Sequence, residues 1–180
     1  MERIPFLATR GAAAYEGLRP LPVTVLLDNV RSMYNVGAFF RTADAAGIEK
    51  LLLGGITAYP PKHAITKTAL GAEERVAWDH GWDAVQLLEG ARARGCEIAA
   101  IETSPRSIDL FDWRPRFPVC LLFGHEVDGL QQRLLDRADT FVCLPMLGAK
   151  HSVNVATAGG VVLYELLRKY RRLSEGCPDQ

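Results

Sequence analysis

The chain lacks a net charge. Its 180 residues carry 21 Lys and Arg against 21 Asp and Glu. Neither half hides an imbalance, since residues 1–90 hold 9 basic and 10 acidic side chains and residues 91–180 hold 12 and 11. That balance excludes a basic arm that holds nucleic acid by bulk charge, and an acidic solvating tail. Long apolar runs are missing too. None approaches the roughly 18 residues of a membrane-spanning helix. The short stretch Ile4 to Ala8 is too brief for the core of a signal peptide. Cysteine is scarce, with Cys96, Cys120, Cys143 and Cys177 widely separated and no C-x-x-C pair. Zinc-ribbon and thioredoxin chemistry are therefore not expected, nor is any metal site. Reduced cysteines inside apolar runs behave as small hydrophobes, which suits a cytoplasmic protein.

What is present is a globular composition, 48% hydrophobic and 23% charged, in a length that suits one domain. Short β-branched or leucine-rich runs alternate with helical patterns. Strands are expected at residues 23–27, 50–53, 75–78, 97–101, 119–123 and 140–144. Helices are expected at 35–46, 82–94, 130–137 and 152–172, the last capped by Ser152. The runs at 119–123 and 140–144 are apolar throughout, as in strands covered on both faces. This order predicts an α/β fold with a mostly parallel sheet spanning residues 21–172. Residues 1–20 read as an extension and 173–180 as a tail.

Parallel sheets bind ligands beyond the carboxyl ends of their strands. Three loops stand out there. In Asp28 to Ala43, Asn35 is a candidate helix cap. Gly37 costs a helix roughly 1 kcal/mol against alanine, which suggests a close approach by a ribose or phosphate. The plain alternative makes Arg41 a solvated helix residue. In Leu122 to Leu130, glycines bracket Glu126, and Gly124 could let a ligand lie on bare backbone. His125 reads as a loop residue rather than a base. In Leu144 to Gly160, Ser152 and Asn154 sit at a helix mouth where backbone N–H groups favour anions. Gly159 and Gly160 suggest a close helix contact.

Together these segments resemble the three signature motifs of the SPOUT methyltransferases, in the SpoU (TrmH-like) branch. The first matches at Asn35, Gly37, Arg41, Thr42 and Ala43. The second matches at Phe123, Gly124, Glu126, Gly129 and Leu130. The third matches at Pro145, Met146, Gly148, Ser152, Asn154 and Val155. Val153 and Ala156 depart mildly from the pattern. The resemblance covers about residues 21–170. It implies a Rossmann-like sheet ending in a deep trefoil knot, a homodimer, and methyl transfer from S-adenosylmethionine to a ribose 2′-hydroxyl of tRNA or rRNA. It also implies catalytic roles for Arg41, Asn35, Glu126, Ser152 and Asn154. Glu126 would hold Arg41 or line the RNA site. Cofactor contacts would come from Glu102, Thr103, Gly124, Leu144, Met146 and Val153. Arg41 as base or as clamp stays open. So does a non-catalytic RNA-binding or assembly factor on the same fold. A dinucleotide oxidoreductase is disfavoured, because the loop after the first strand holds Gly37 alone and not G-x-G-x-x-G.

The cluster Arg168, Lys169, Arg171 and Arg172, with Arg31, Arg41, Lys62 and Lys67, offers local charge for phosphates.

Overall fold

Apolar runs of valine and leucine build the sheet. The computed structural model describes residues 20–174, so most of the expected extension and tail, with Cys177, lie outside the described residues. The strands are β1 (Leu21–Asp28), β2 (Ile48–Gly54), β3 (Trp78–Gly81), β4 (Glu97–Ile101), β5 (Ile108–Asp109), β6 (Val119–Phe123) and β7 (Thr140–Cys143). The helices are α1 (Met33–Ala46), α2 (His63–Ala69), α3 (Ala84–Ala93), α4 (Gln132–Leu135) and α5 (Val155–Ser174). Among the described residues all seven strands form one sheet in the order β3-β2-β1-β6-β4-β7-β5, and every pairing is parallel. No described helix is long and apolar enough to cross a membrane.

A parallel sheet must be covered on both faces. The period-2 alternation of each strand divides the core accordingly. Val25, Leu27, Leu51, Leu53, Leu121 and Phe123 face one layer, made by α1, α2 and α5. Leu26, Leu52, Ile98, Cys120 and Leu122 face the other, made by α3 and α4. The first layer has an aromatic centre. Phe39 of α1 meets Phe123 edge to face at 5.2 Å between centroids, and a β-carbon on Gly159 of α5 would collide with the Phe39 ring. Gly159 is therefore required by a helix contact within one chain. Above Gly160 nothing lies within 4 Å of where a β-carbon would sit.

Local chemistry sets the helix ends. Ser32, not Asn35, caps α1 by accepting the Asn35 N–H, and Gly47 closes it at φ 68°. Asp83 caps α3 through the Val85 N–H. Asn154, not Ser152, caps α5 by accepting from Ala156 N and Thr157 N at 2.9 and 3.2 Å. Helix α5 then runs two residues past the expected end, to Ser174. The third strand lies at 78–81 rather than 75–78, and the two-residue β5 was not expected. Cys96 and Cys120 are buried and unbridged, and burial pushes the Cys120 thiol far up.

Candidate active site

Strands β1, β6, β4 and β7 are neighbours, and their carboxyl ends share one rim. Strands β1, β6 and β7 each release one of the three informative segments there. Beyond β4, β6 and β7 lies a cleft of about 580 Å³. All six residues expected to touch a cofactor line it: Glu102, Thr103, Gly124, Leu144, Met146 and Val153. Glu126, Ser152 and Asn154 line it as well.

The three motifs meet in one hydrogen-bonded relay. Glu126 accepts from Arg31 N on one carboxylate oxygen and from Ser32 N and Asn35 Nδ2 on the other, each at 3.1 Å. Asn35 Oδ1 in turn accepts from Asn154 Nδ2 at 3.1 Å. The other oxygen-bearing end of Asn154 caps α5. Partial burial alone would raise the Glu126 carboxyl, but its own N–H, those of Arg31 and Ser32, and Asn35 outweigh that and hold it below its ordinary value. Among the described residues Glu126 makes no hydrogen bond or ion pair with Arg41. Its work is to fix the β1–α1 loop.

Two glycines are required by the packing of the chain itself. A β-carbon on Gly37 would collide with Thr68 Oγ1 and the Ile65 carbonyl, so that glycine lets α1 lie against α2. A β-carbon on Gly124 would collide with the backbone of Gly129 and Leu130, where His125 and Gly129 exchange two backbone hydrogen bonds of 3.0 Å. His125 Nδ1 accepts from the N–H groups of Val127 and Asp128, at 3.2 and 3.0 Å. The same nitrogen lies 3.1 Å from the Asp128 carboxylate, so it is engaged within its own turn.

The SpoU rRNA methylase family model matches residues 22–164 of this chain. The chain belongs to that family. It is 29% identical over 154 residues to the 23S rRNA (guanosine-2′-O-)-methyltransferase RlmB of Ralstonia nicotianae, covering 86% of this chain and 61% of that protein. It is 32% identical over 153 residues to the tRNA (guanosine(18)-2′-O)-methyltransferase of Escherichia coli K12, covering 82% and 63%. The AdoMet-bound rRNA methyltransferase of Sinorhizobium meliloti superposes with a TM-score of 0.76 at 30% identity, over 83% of this chain and 60% of that one. The chain thus spans about three fifths of the length of the curated relatives it matches.

Within this SpoU-family chain, Arg41 stands apart from the cleft. It is exposed on α1, six residues beyond Asn35 and so about 120° around the helix. It makes no hydrogen bond or ion pair among the described residues. Ser152 is exposed at the cleft wall and does not cap α5. The C-terminal basic cluster is not a free patch. Lys169 is buried, donates to the carbonyls of Leu110 (2.7 Å), Phe111 (3.2 Å) and Trp113, and lies 3.5 Å from Glu165. Arg168 forms a two-pronged pair with Glu165.

Sequence reasoning missed Asp28. This buried carboxylate ends β1 and accepts from Gln131 N and Nε2, tying the β1 end to the segment after β6. Burial raises its pKa in spite of those bonds. The visible signal was an acid closing an otherwise apolar strand. Ser104 and His151, which line the cleft, carried no comparable signal.

Proposed function

We propose that this protein transfers a methyl group from S-adenosylmethionine to a ribose 2′-hydroxyl of tRNA or rRNA, in the cytoplasm. The observation that carries the reading is the Glu126–Asn35–Asn154 relay at the mouth of the cleft, which joins all three motifs in one constellation. The cleft suits the methyl donor. Its volume falls in the range of small-molecule sites. Leu144, Met146 and Val153 offer apolar walls to an adenine, and Glu102, already accepting from Leu130 N and Thr103 N, keeps lone pairs for hydroxyl groups. When bound, S-adenosylmethionine supplies an electrophilic methyl group.

The remaining work is alignment. Asn35, pinned from both sides, and Ser152 orient the ribose. Glu126 is a poor base, because its oxygens are occupied and its carboxyl is held below the ordinary range. An arginine stays protonated at neutral pH, so Arg41 acts as a clamp that polarises the 2′-hydroxyl or holds its phosphate.

A homodimer belongs to this reading. The outward face of α1 and α5 carries exposed Tyr34, Val161 and Tyr164 beside the open space above Gly160. Pairing through that face would bring Arg41 towards the partner's cleft and complete the site. The knotted path that the resemblance implies also belongs here, supported by a sheet order in which β4 separates β6 from β7.

The test incubates the protein with labelled S-adenosylmethionine and either unmodified total tRNA or rRNA, and maps the methylated nucleotide. Arg41→Ala is expected to abolish transfer while cofactor binding, read by calorimetry, survives. Full activity of that variant would refute the clamp. For assembly, Gly160→Leu is expected to turn a sedimenting dimer into a monomer. An unmodified protein that sediments as a monomer would contradict the dimer.

A further inference from the structure

A group of rings lies outside the cleft and its relay. Tyr59, Trp78, His80 and Trp82 form a continuous cluster at the β3 edge of the sheet. Tyr59 stacks with Trp78 at 6.2 Å between centroids and tilts over His80 at 4.2 Å. Trp82 stands nearly perpendicular to His80, at 5.3 Å and 84°. Trp82 is 75% exposed and Tyr59 39%. Leaving an indole so open to water is unfavourable for the free protein, and a broad rigid ring of this kind is what an unpaired nucleobase stacks on.

The cluster is tied to the active site. His80 Nε2 bonds the Gly55 carbonyl at 3.2 Å. The next residue, Ile56, donates its N–H to Asn29 Oδ1 at 3.1 Å, in the loop that leads to Asn35. Ile56 and Asn29 line a second hollow of about 370 Å³ together with His125 and Asp128, two residues that also line the cofactor cleft. The rings and the cleft are therefore two ends of one track along the carboxyl rim.

Charge along that track suits RNA. Residues 50–72 contain Lys50, Lys62, Lys67 and His63 and no acidic residue. Lys62, His63 and Lys67 are exposed, shortly after Tyr59, at the N-cap, first residue and last turn of α2. The nearest acids are already engaged. Asp79 pairs with Lys50 at 2.5 Å, and Asp83 pairs with Arg133 at 3.0 Å while capping α3. A phosphate backbone passing the rings meets cations rather than carboxylates.

We propose that Tyr59 and Trp82 form a stacking shelf for an unpaired base of the RNA substrate, flanking the nucleotide whose ribose enters the cleft, with Lys62 and Lys67 holding the phosphates between. The shelf rests on the reading of the protein as an RNA methyltransferase. It gives this domain a purchase on single-stranded RNA beside the cleft.

The test uses the full chain and a fluorescently labelled oligoadenosine, with an RNA duplex of equal length as comparison. Trp82→Ala and Tyr59→Ala are each expected to weaken oligoadenosine binding by about tenfold, within the range of one lost base–aromatic stack. Trp82→Phe is expected to keep most of the affinity, while losing most of the tryptophan quenching that oligoadenosine causes in the unmodified protein. Binding of S-adenosylmethionine and the melting temperature are expected to stay unchanged in all three variants. Oligoadenosine affinity within twofold of the unmodified protein in folded Trp82→Ala overturns the shelf. So does failure of the unmodified protein to bind oligoadenosine. A change of sedimentation in place of RNA affinity also overturns it and makes the rings a protein interface. The methyltransferase reading fails separately, if the unmodified protein does not bind S-adenosylmethionine.

Discussion

Replacing Glu126 with glutamine removes a charge and one acceptor while keeping the side-chain shape. Three donors converge on the carboxylate from Arg31 N, Ser32 N and Asn35 Nδ2. A glutamine has one oxygen. Placed towards Ser32 and Asn35, it keeps two bonds and turns its NH₂ group against the Arg31 N–H. Flipped, it keeps one bond and opposes two donors. At least one charge-assisted bond is lost, worth about 1.5–3 kcal/mol when buried. Water reaches this exposed carboxylate, so the net cost is about 1–2 kcal/mol, or roughly 3–6 °C in Tm for a chain of this size. The pH dependence has a definite sign. The folded carboxyl lies below its ordinary value, so its stabilisation is present above the ordinary glutamate pKa of about 4.3 and is lost as pH falls through the folded value. Melting both proteins across pH should show a gap at about pH 7 that narrows and closes as pH falls below the ordinary glutamate range. Methyl transfer should fall by about 10- to 100-fold, because Asn35 loses one of its two anchors. Equal melting temperatures near neutrality, or a gap unchanged in acid, would refute the relay as the element that sets this loop.

Lys169→Met should strand three backbone carbonyls and Glu165, costing about 3–5 kcal/mol and lowering Tm by about 10 °C, whereas Arg171→Ala on the exposed side should change it by about 1 °C or less. Equal effects of the two in thermal melts would mean that Lys169 is surface charge after all. Gly159→Ala should lower stability by about 1–3 kcal/mol in urea titration, because the new methyl meets Phe39, and a neutral result would show that the ring yields freely.

Strands β4 and β6 were legible to the residue, because runs such as Val119 to Phe123 are buried on both faces and bounded by proline or glycine. Strand β3 was misplaced because it lies at the sheet edge, where Trp78-Asp-His-Gly needs no apolar face. Helix α5 was started too early because Ser152 and Asn154 are both competent caps. The deciding factor is the bond from Asn154 to Asn35, which is 119 residues away and leaves no trace in local sequence. Gly37 and Gly124 were read as openings for a ligand, whereas α2 and the Gly129 turn fill those spaces. Lys169 was counted as surface charge because a run of four cations gives no hint which one turns inward.

The strand order also bears on how the molecule comes into being. Strand β1 pairs with β2 at once, but its other neighbour, β6, begins only at Val119. The bond between Asn35 and Asn154 waits longer still. As the chain leaves the ribosome, its first half therefore holds a sheet with one open inner edge, a slow and exposed arrangement of distant contacts. The relay that joins the three motifs is the last part to close, so a truncated or stalled chain would carry the first motif without its two partners.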